Sequence, residues 1–158
     1  MILYHGSNVV VVEPKIIVSN RNLDYGMGFY ATSSLEQAKS WADVVTKRRK
    51  SGQATVSVYE LNNDISSLII KNFKEPDSEW LDFVKFNRQG LYKGLKYDLV
   101  IGPVANDNTM PVLNDYILGN INLETALILL KPQKLVDQYA FLTIKSLGLL
   151  SYKEKIVL

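Results

Sequence analysis

The sequence predicts a single α+β domain, and three observations predict it. Its 158 residues are 47% hydrophobic and 22% charged, ordinary for one globular domain with a sizeable core. Strand-like and helix-like segments are both present, but they do not alternate regularly enough for a doubly wound sheet. There is no internal repeat and no low-complexity segment that would mark a second unit.

Residues 2 to 5 and 9 to 18 are rich in β-branched side chains and interrupted by Pro14. They read as two or three short strands around a turn at Gly6-Ser7-Asn8, with His5 at the end of the first. Ser19 to Gly28 is polar and punctuated by Asn, Asp and Gly, which reads as an exposed loop, and Phe29 to Thr32 leaves it as a brief strand. Ser33 or Ser34 can cap the clearest helix, with Glu36 or Gln37 completing a capping box. Leu35, Ala38, Trp41, Ala42 and Val45 recur at helical spacing as an inward stripe, and the helix should stop near Ser51-Gly52.

Ala54 to Leu61 alternates in the manner of a strand, and Leu68 to Ile70 reads as another short extended piece. Pro76-Asp77-Ser78 introduces a second helix that reaches Arg88 and ends at Gly90. Tyr97 to Ile101 is an apolar run suited to a buried strand, closed by Gly102-Pro103 and followed by the polar loop Ala105 to Thr109. Pro111 suits the first turn of a helix running toward Gly119, and Asn122 caps another through Leu130. Gln138 to Ile144 is the last internal strand, with an edge piece at Ile156 to Leu158.

Composition excludes several chemistries. With no cysteine there are no disulfides, thiolate metal sites or cysteine nucleophile, and one histidine rules out a multi-histidine zinc site, so no metal is expected. A net charge of +2 does not argue for nucleic acid, and Lys47-Arg48-Arg49-Lys50 reads as a solvated helix end that favours the helix dipole. No segment approaches the roughly 20 apolar residues of a membrane span, and Met1 to His5 lacks the regions of a signal peptide. A cytoplasmic location, with no membrane partner, is the expectation.

A lone histidine after an apolar strand is more often a structural residue than a catalytic one. His5, however, is followed by Gly6-Ser7, then about twenty residues later by Gly26-Met27-Gly28-Phe29-Tyr30, and then by a helix carrying Trp41. In these motifs the chain resembles the ADP-ribosyltransferase superfamily, in the branch of diphtheria toxin and the poly(ADP-ribose) polymerases. That branch carries His-Gly on its first strand and Gly-x-Gly-x-Tyr entering a helix, and the strong match covers the first quarter of the chain. Over most of its length the chain is similar to a bacterial family catalogued as a domain of unknown function. That likeness lies in Tyr4-His5-Gly6-Ser7, the run from Asp24 to Thr32, and Gly102-Pro103-Val104-Ala105-Asn106-Asp107.

The resemblance implies an ADP-ribosyltransferase-like fold, two small antiparallel or mixed sheets with flanking helices, and NAD as substrate. Breaking the nicotinamide–ribose bond develops an oxocarbenium-like cation, so such a site must hold the ribose, grip the departing base and stabilise positive charge. By the resemblance, His5 bonds a ribose hydroxyl, the Gly6 backbone grips the nicotinamide amide, and Tyr30 stacks on the nicotinamide ring, with Gly28 and Phe29 in the same motif. Trp41 either closes the other face of that slot or packs in the core on its stripe. Ala38 stands where a serine commonly bonds the amide, so either Ser7 or Thr32 serves or the grip is looser.

Gln138 opens the late strand where the superfamily has a glutamate. An amide accepts a hydroxyl's hydrogen bond but carries no charge to offset the cation and is no general base. Asp107 is the first candidate to supply the missing charge, ahead of Glu60; the alternatives are a turn residue and a solvent-facing strand residue. The implied activity is transfer of a single ADP-ribose to a macromolecular acceptor, protein or nucleic acid, by a toxin or effector with a protein antitoxin. Two other classes stand beside it: a non-catalytic NAD or ADP-ribose binding module, and an interaction domain that binds neither.

Overall fold

Twelve elements run in the order β1 (Ile2–Ser7), β2 (Phe29–Ala31), α1 (Leu35–Arg49), β3 (Thr55–Leu61), β4 (Ile70–Asn72), α2 (Ser78–Gln89), β5 (Leu99–Pro103), α3 (Met110–Ile117), α4 (Leu123–Leu130), β6 (Asp137–Phe141), α5 (Ile144–Leu147) and β7 (Leu150–Val157). They come from a computed structural model that describes residues 1–158. The strands form two small open sheets, β1-β3-β7 and β2-β6-β5-β4. The first is antiparallel throughout; in the second only β4 and β5 run parallel, joined by a connection that contains α2. The class is α+β, as the mixed segments predict.

A single bridge links the sheets. Tyr4 and Thr32 exchange backbone bonds of 2.8 and 2.9 Å, so β1 leans on the end of β2. Two cores follow from the alternation of side chains along the second sheet. Tyr139 and Phe141 face the first sheet with Leu3, Phe29, Ala31, Tyr59 and Leu99. Ala140 faces the helices, where Trp80, Leu81, Val84, Leu113, Ala126 and Leu130 pack on Val100 and Tyr25.

Local signals hold at the helix ends. Ser34 accepts from the Gln37 amide, Asp77 from Trp80 and Asn122 from Thr125, each satisfying an amide the helix cannot. Gly90 closes α2 at φ 70°, a left-handed turn that glycine takes without cost.

Several expected elements change. β1 runs on through Gly6 and Ser7, so His5 lies inside a strand and no turn falls at residues 6 to 8. Residues 9 to 18 form no strand: both edges of β1 are engaged, by β3 and by Thr32, and the segment lies across β3 instead. There the Val11 amide donates to the Ser57 hydroxyl and the Tyr59 hydroxyl donates to the Val11 carbonyl. The extended piece near residue 70 sits at Ile70–Asn72, two residues later than its apolar residues suggest. The late strand ends at Phe141, where Thr143 caps the short α5, and the C-terminal edge strand is eight residues long.

Candidate functional site

The bridge between the sheets builds the site. Met1 and Leu3 lie in phase with His5, and the Met1 carbonyl bonds the Leu61 amide of β3, whereas both backbone groups of Tyr4 point the opposite way to Thr32. Strand alternation therefore aims the N–H and C=O of Gly6 along that same edge, toward β2. Continued register would pair Gly6 with Tyr30, but the Tyr30 carbonyl is already taken: the His5 imidazole lies against it, Nδ1 to O 2.6 Å. The imidazole wedges the strands apart just past their one bridge.

A carbonyl only accepts, so Nδ1 carries the hydrogen and Nε2 is left as an acceptor. Nε2 has no partner in the protein and, since no buried side-chain polar atom lacks one, it reaches solvent. The ring rests on Phe29 with centroids 4.4 Å apart, and Phe29 is wholly buried, so it supports the imidazole from beneath. Burial lowers the His5 pKa below its ordinary 6.5; the Tyr30 carbonyl opposes the shift and the Arg49 charge adds to it. The imidazole is neutral at physiological pH.

Tyr30 projects from the opposite face of β2, packed on the helical core. Its hydroxyl donates to the Gly26 carbonyl at 2.6 Å and accepts from the Tyr25 amide at 3.1 Å, tying down the glycine-bracketed turn. Burial raises its pKa well above the ordinary tyrosine value. The Tyr30 ring runs beside Tyr25, centroids 6.5 Å apart.

Gln138 is buried on this same face of the second sheet. Its Nε2 donates to the Pro103 carbonyl at 3.3 Å and to Asp24 Oδ2 at 3.4 Å. Asp24 Oδ1 in turn accepts from Arg88 Nε at 2.6 Å, and the Arg88 and Asp24 side chains are 25% and 12% exposed. Tyr25 completes the floor, donating to the Pro103 carbonyl and accepting from the Trp80 indole, both at 2.8 Å. The carboxylate at this site is Asp24, not Asp107, which is exposed in its loop and bonds nothing. Asp24 stands first in the run to Thr32 that carries the family likeness, and that position was the available signal.

The other expected residues are placed as follows. Gly6 turns its Cα hydrogens toward α1, where an added Cβ would meet Ala38 O, so its glycine is required by helix packing. Gly28 is likewise crowded, with Phe141 O at 2.6 Å from a Cβ. Ser7 is buried and bonds Asn8. Thr32 is buried and committed, donating to Asp137 Oδ1 at 3.2 Å and accepting from the Ser34 amide at 3.1 Å. Trp41 is neither in the core nor stacked with Tyr30: it is 45% exposed on α1, with the Arg48 guanidinium 5.3 Å from its ring centroid. The buried stripe is Ala38, Ala42 and Val45. Glu60 is exposed and paired with Lys153.

Thus His5, Gly6, Phe29 and the Tyr30 carbonyl meet at one junction, and the Tyr30 and Gln138 side chains share a sheet face, while the Trp41 ring pairs with Arg48 and Asp107 bonds neither group. A cleft of about 190 Å³ opens beside the glycine turn, lined by Asn22, Gly26, Met27, Asn87 and Gly90 among others. A second, of about 280 Å³, borders Glu60, Asn62, Asn63 and Ser151. Neither is lined by His5, Tyr30 or Gln138. No helix is long and apolar enough to cross a membrane.

No curated protein and no solved structure matches the chain. A family model described as "Protein of unknown function (DUF3990)" matches residues 1–152, nearly the full length, and the chain belongs to that family.

Proposed function

We propose that this protein is a mono-ADP-ribosyltransferase that cleaves NAD at the nicotinamide–ribose bond and passes ADP-ribose to a macromolecular acceptor. The observation that carries the reading is the His5–Tyr30 junction. The imidazole is locked by a backbone carbonyl in one tautomer, its Nε2 keeps solvent contact as an acceptor, and the Gly6 edge amide and carbonyl point along the same edge toward β2. An outward acceptor suits a ribose hydroxyl, and an adjacent backbone donor and acceptor suit a carboxamide.

In the reaction, the bond between C1′ and the pyridinium nitrogen breaks with its electron pair going to nicotinamide, which leaves neutral. The acceptor's nucleophilic atom forms the new bond to C1′ and loses its proton to water. His5 fixes the sugar and does not act as a base toward C1′. In this reading the Gln138 carbonyl oxygen takes the glutamate's part as a neutral acceptor, so the cation would be stabilised by dipoles, with little charge on offer.

A second reading is a non-catalytic NAD or ADP-ribose binding module. The commitment of the Gln138 amide to Asp24 and Pro103 favours it, as does the neutralisation of Asp24 by Arg88. Incubation with labelled NAD and a cell extract separates the two. Label transferred by the wild-type protein and lost in His5→Ala supports the transferase; calorimetric NAD binding without transfer supports the module; absence of binding overturns both.

A further inference from the structure

We propose that position 138 is built for an amide, and that Asp24, itself held by Arg88, is the positioning residue that turns the Gln138 carbonyl oxygen outward to accept a hydrogen bond from a ligand hydroxyl.

Two pure acceptors face one end of the Gln138 side chain: the Pro103 carbonyl and Asp24 Oδ2, at 3.3 and 3.4 Å from Nε2. An amide turned the other way would press its oxygen against both, so the NH2 group must face inward. The carbonyl oxygen Oε1 then has no partner in the protein, and as no buried side-chain polar atom is left unpaired, it keeps some solvent contact although Gln138 is only 8% exposed. Asp24 is fixed in turn, because its second oxygen takes the Arg88 Nε–H at 2.6 Å. Arg88 sits in the last turn of α2. The chain of bonds from α2 through Asp24 to β6 therefore sets which atom of residue 138 is presented. A glutamate at 138 would set a second carboxylate against Asp24 and the Pro103 carbonyl, with one arginine to serve two acids. The slot disfavours the charged residue that the late strand carries in the ADP-ribosyltransferases.

The identity of the hydroxyl, a ribose hydroxyl of NAD, rests on the functional reading above; the amide slot itself does not. The test is a double-mutant cycle on the full chain with thermal unfolding and NAD calorimetry as separate readouts, using Gln138→Glu, Asp24→Asn and the pair. In the pair, the new amide at position 24 still accepts from Arg88 through its oxygen while its NH2 donates to the carboxylate at position 138, reversing the polarity of the contact. Gln138→Glu alone should lower Tm by roughly 5 °C, and the same change should have little effect in the Asp24→Asn background. NAD affinity should fall about tenfold in Gln138→Met, which keeps the length and removes the outward acceptor, while stability falls far less than affinity; a merely structural role would lower the two together.

A Gln138→Glu protein as stable as wild type, or a loss equal in both backgrounds, overturns the slot. Unchanged NAD affinity in Gln138→Met overturns the outward acceptor. If Gln138→Glu is recovered only unfolded, folding of the pair supports the slot, and failure of the pair while Gln138→Met folds overturns it. If wild type binds no NAD, the functional reading fails, and the Tm cycle alone decides the slot.

Discussion

A Cβ built on Gly6 would stand 2.0 Å from the carbonyl oxygen of Ala38 and 2.8 Å from the Ala42 amide. The glycine that the family likeness assigns to a ligand is thus also the point where β1 passes under α1. Backbone cannot yield as a flexible side chain does, so Gly6→Ala must push α1 outward. Its expected cost is about 3 kcal/mol, the upper part of the range for overpacked cores, measured as a shift in the urea midpoint. A variant of wild-type stability would show that α1 gives way freely and would remove the packing account.

His5 should make stability depend on pH. Burial lowers its pKa, so below its ordinary value of 6.5 the unfolded chain takes up the proton more readily than the folded one. The contribution is therefore fully present above that value and is lost as pH falls through it toward the lowered folded-state value. Unfolding free energies measured from about pH 7.5 to pH 5 should fall more steeply for wild type than for His5→Gln, which keeps a donor for Tyr30 but does not titrate. Carboxylates lower both curves alike, so the difference isolates His5; parallel curves would refute the claim.

The sequence shows most clearly what nearest neighbours decide. Ser34, Asp77, Asn122 and Gly90 mark helix ends because a cap bonds an amide within three residues or adopts a left-handed turn on its own account. Residues 9 to 18 mislead because β propensity says nothing of available edges; Val9, Val12, Ile17 and Val18 end up exposed. β7 is the converse case. Lys153, Glu154 and Lys155 hide a strand whose register with β3 is set nearly a hundred residues earlier. The His5–Tyr30 junction is legible in part, since both residues belong to motifs, yet the imidazole wedge is not. Asp24 is marked only by its place at the head of the likeness run, and its role is hidden because that role comes from Arg88 and Gln138, 64 and 114 residues away.

Tyr30→Phe separates the ring from its hydroxyl. The ring keeps its place on the helical core, but the Gly26 carbonyl and the Tyr25 amide both lose their partner. A part-buried donor and acceptor left unpaired cost about 1–3 kcal/mol, and the effect should be local. Hydrogen exchange should quicken at residues 24 to 28 and leave β3 and β7 unchanged. Uniform quickening across both sheets would mean that the hydroxyl supports the whole fold.

Trp41 tests whether the aromatic slot implied by the family likeness exists in this chain. Its ring is 45% exposed, bears the Arg48 guanidinium at 5.3 Å, and makes no ring contact with Tyr30. An exposed cation–π pair contributes about 0.5–1 kcal/mol, and the buried stripe of α1 does not include this residue. Trp41→Ala should therefore lower stability by less than about 1 kcal/mol, far below the roughly 3–5 kcal/mol of a core tryptophan such as Trp80. If NAD lies at the His5–Tyr30 junction, its affinity measured by calorimetry should be unchanged in Trp41→Ala. A large loss of affinity with stability intact would mean that this exposed ring, next to the Ala42 amide on which Gly6 packs, closes over the ligand.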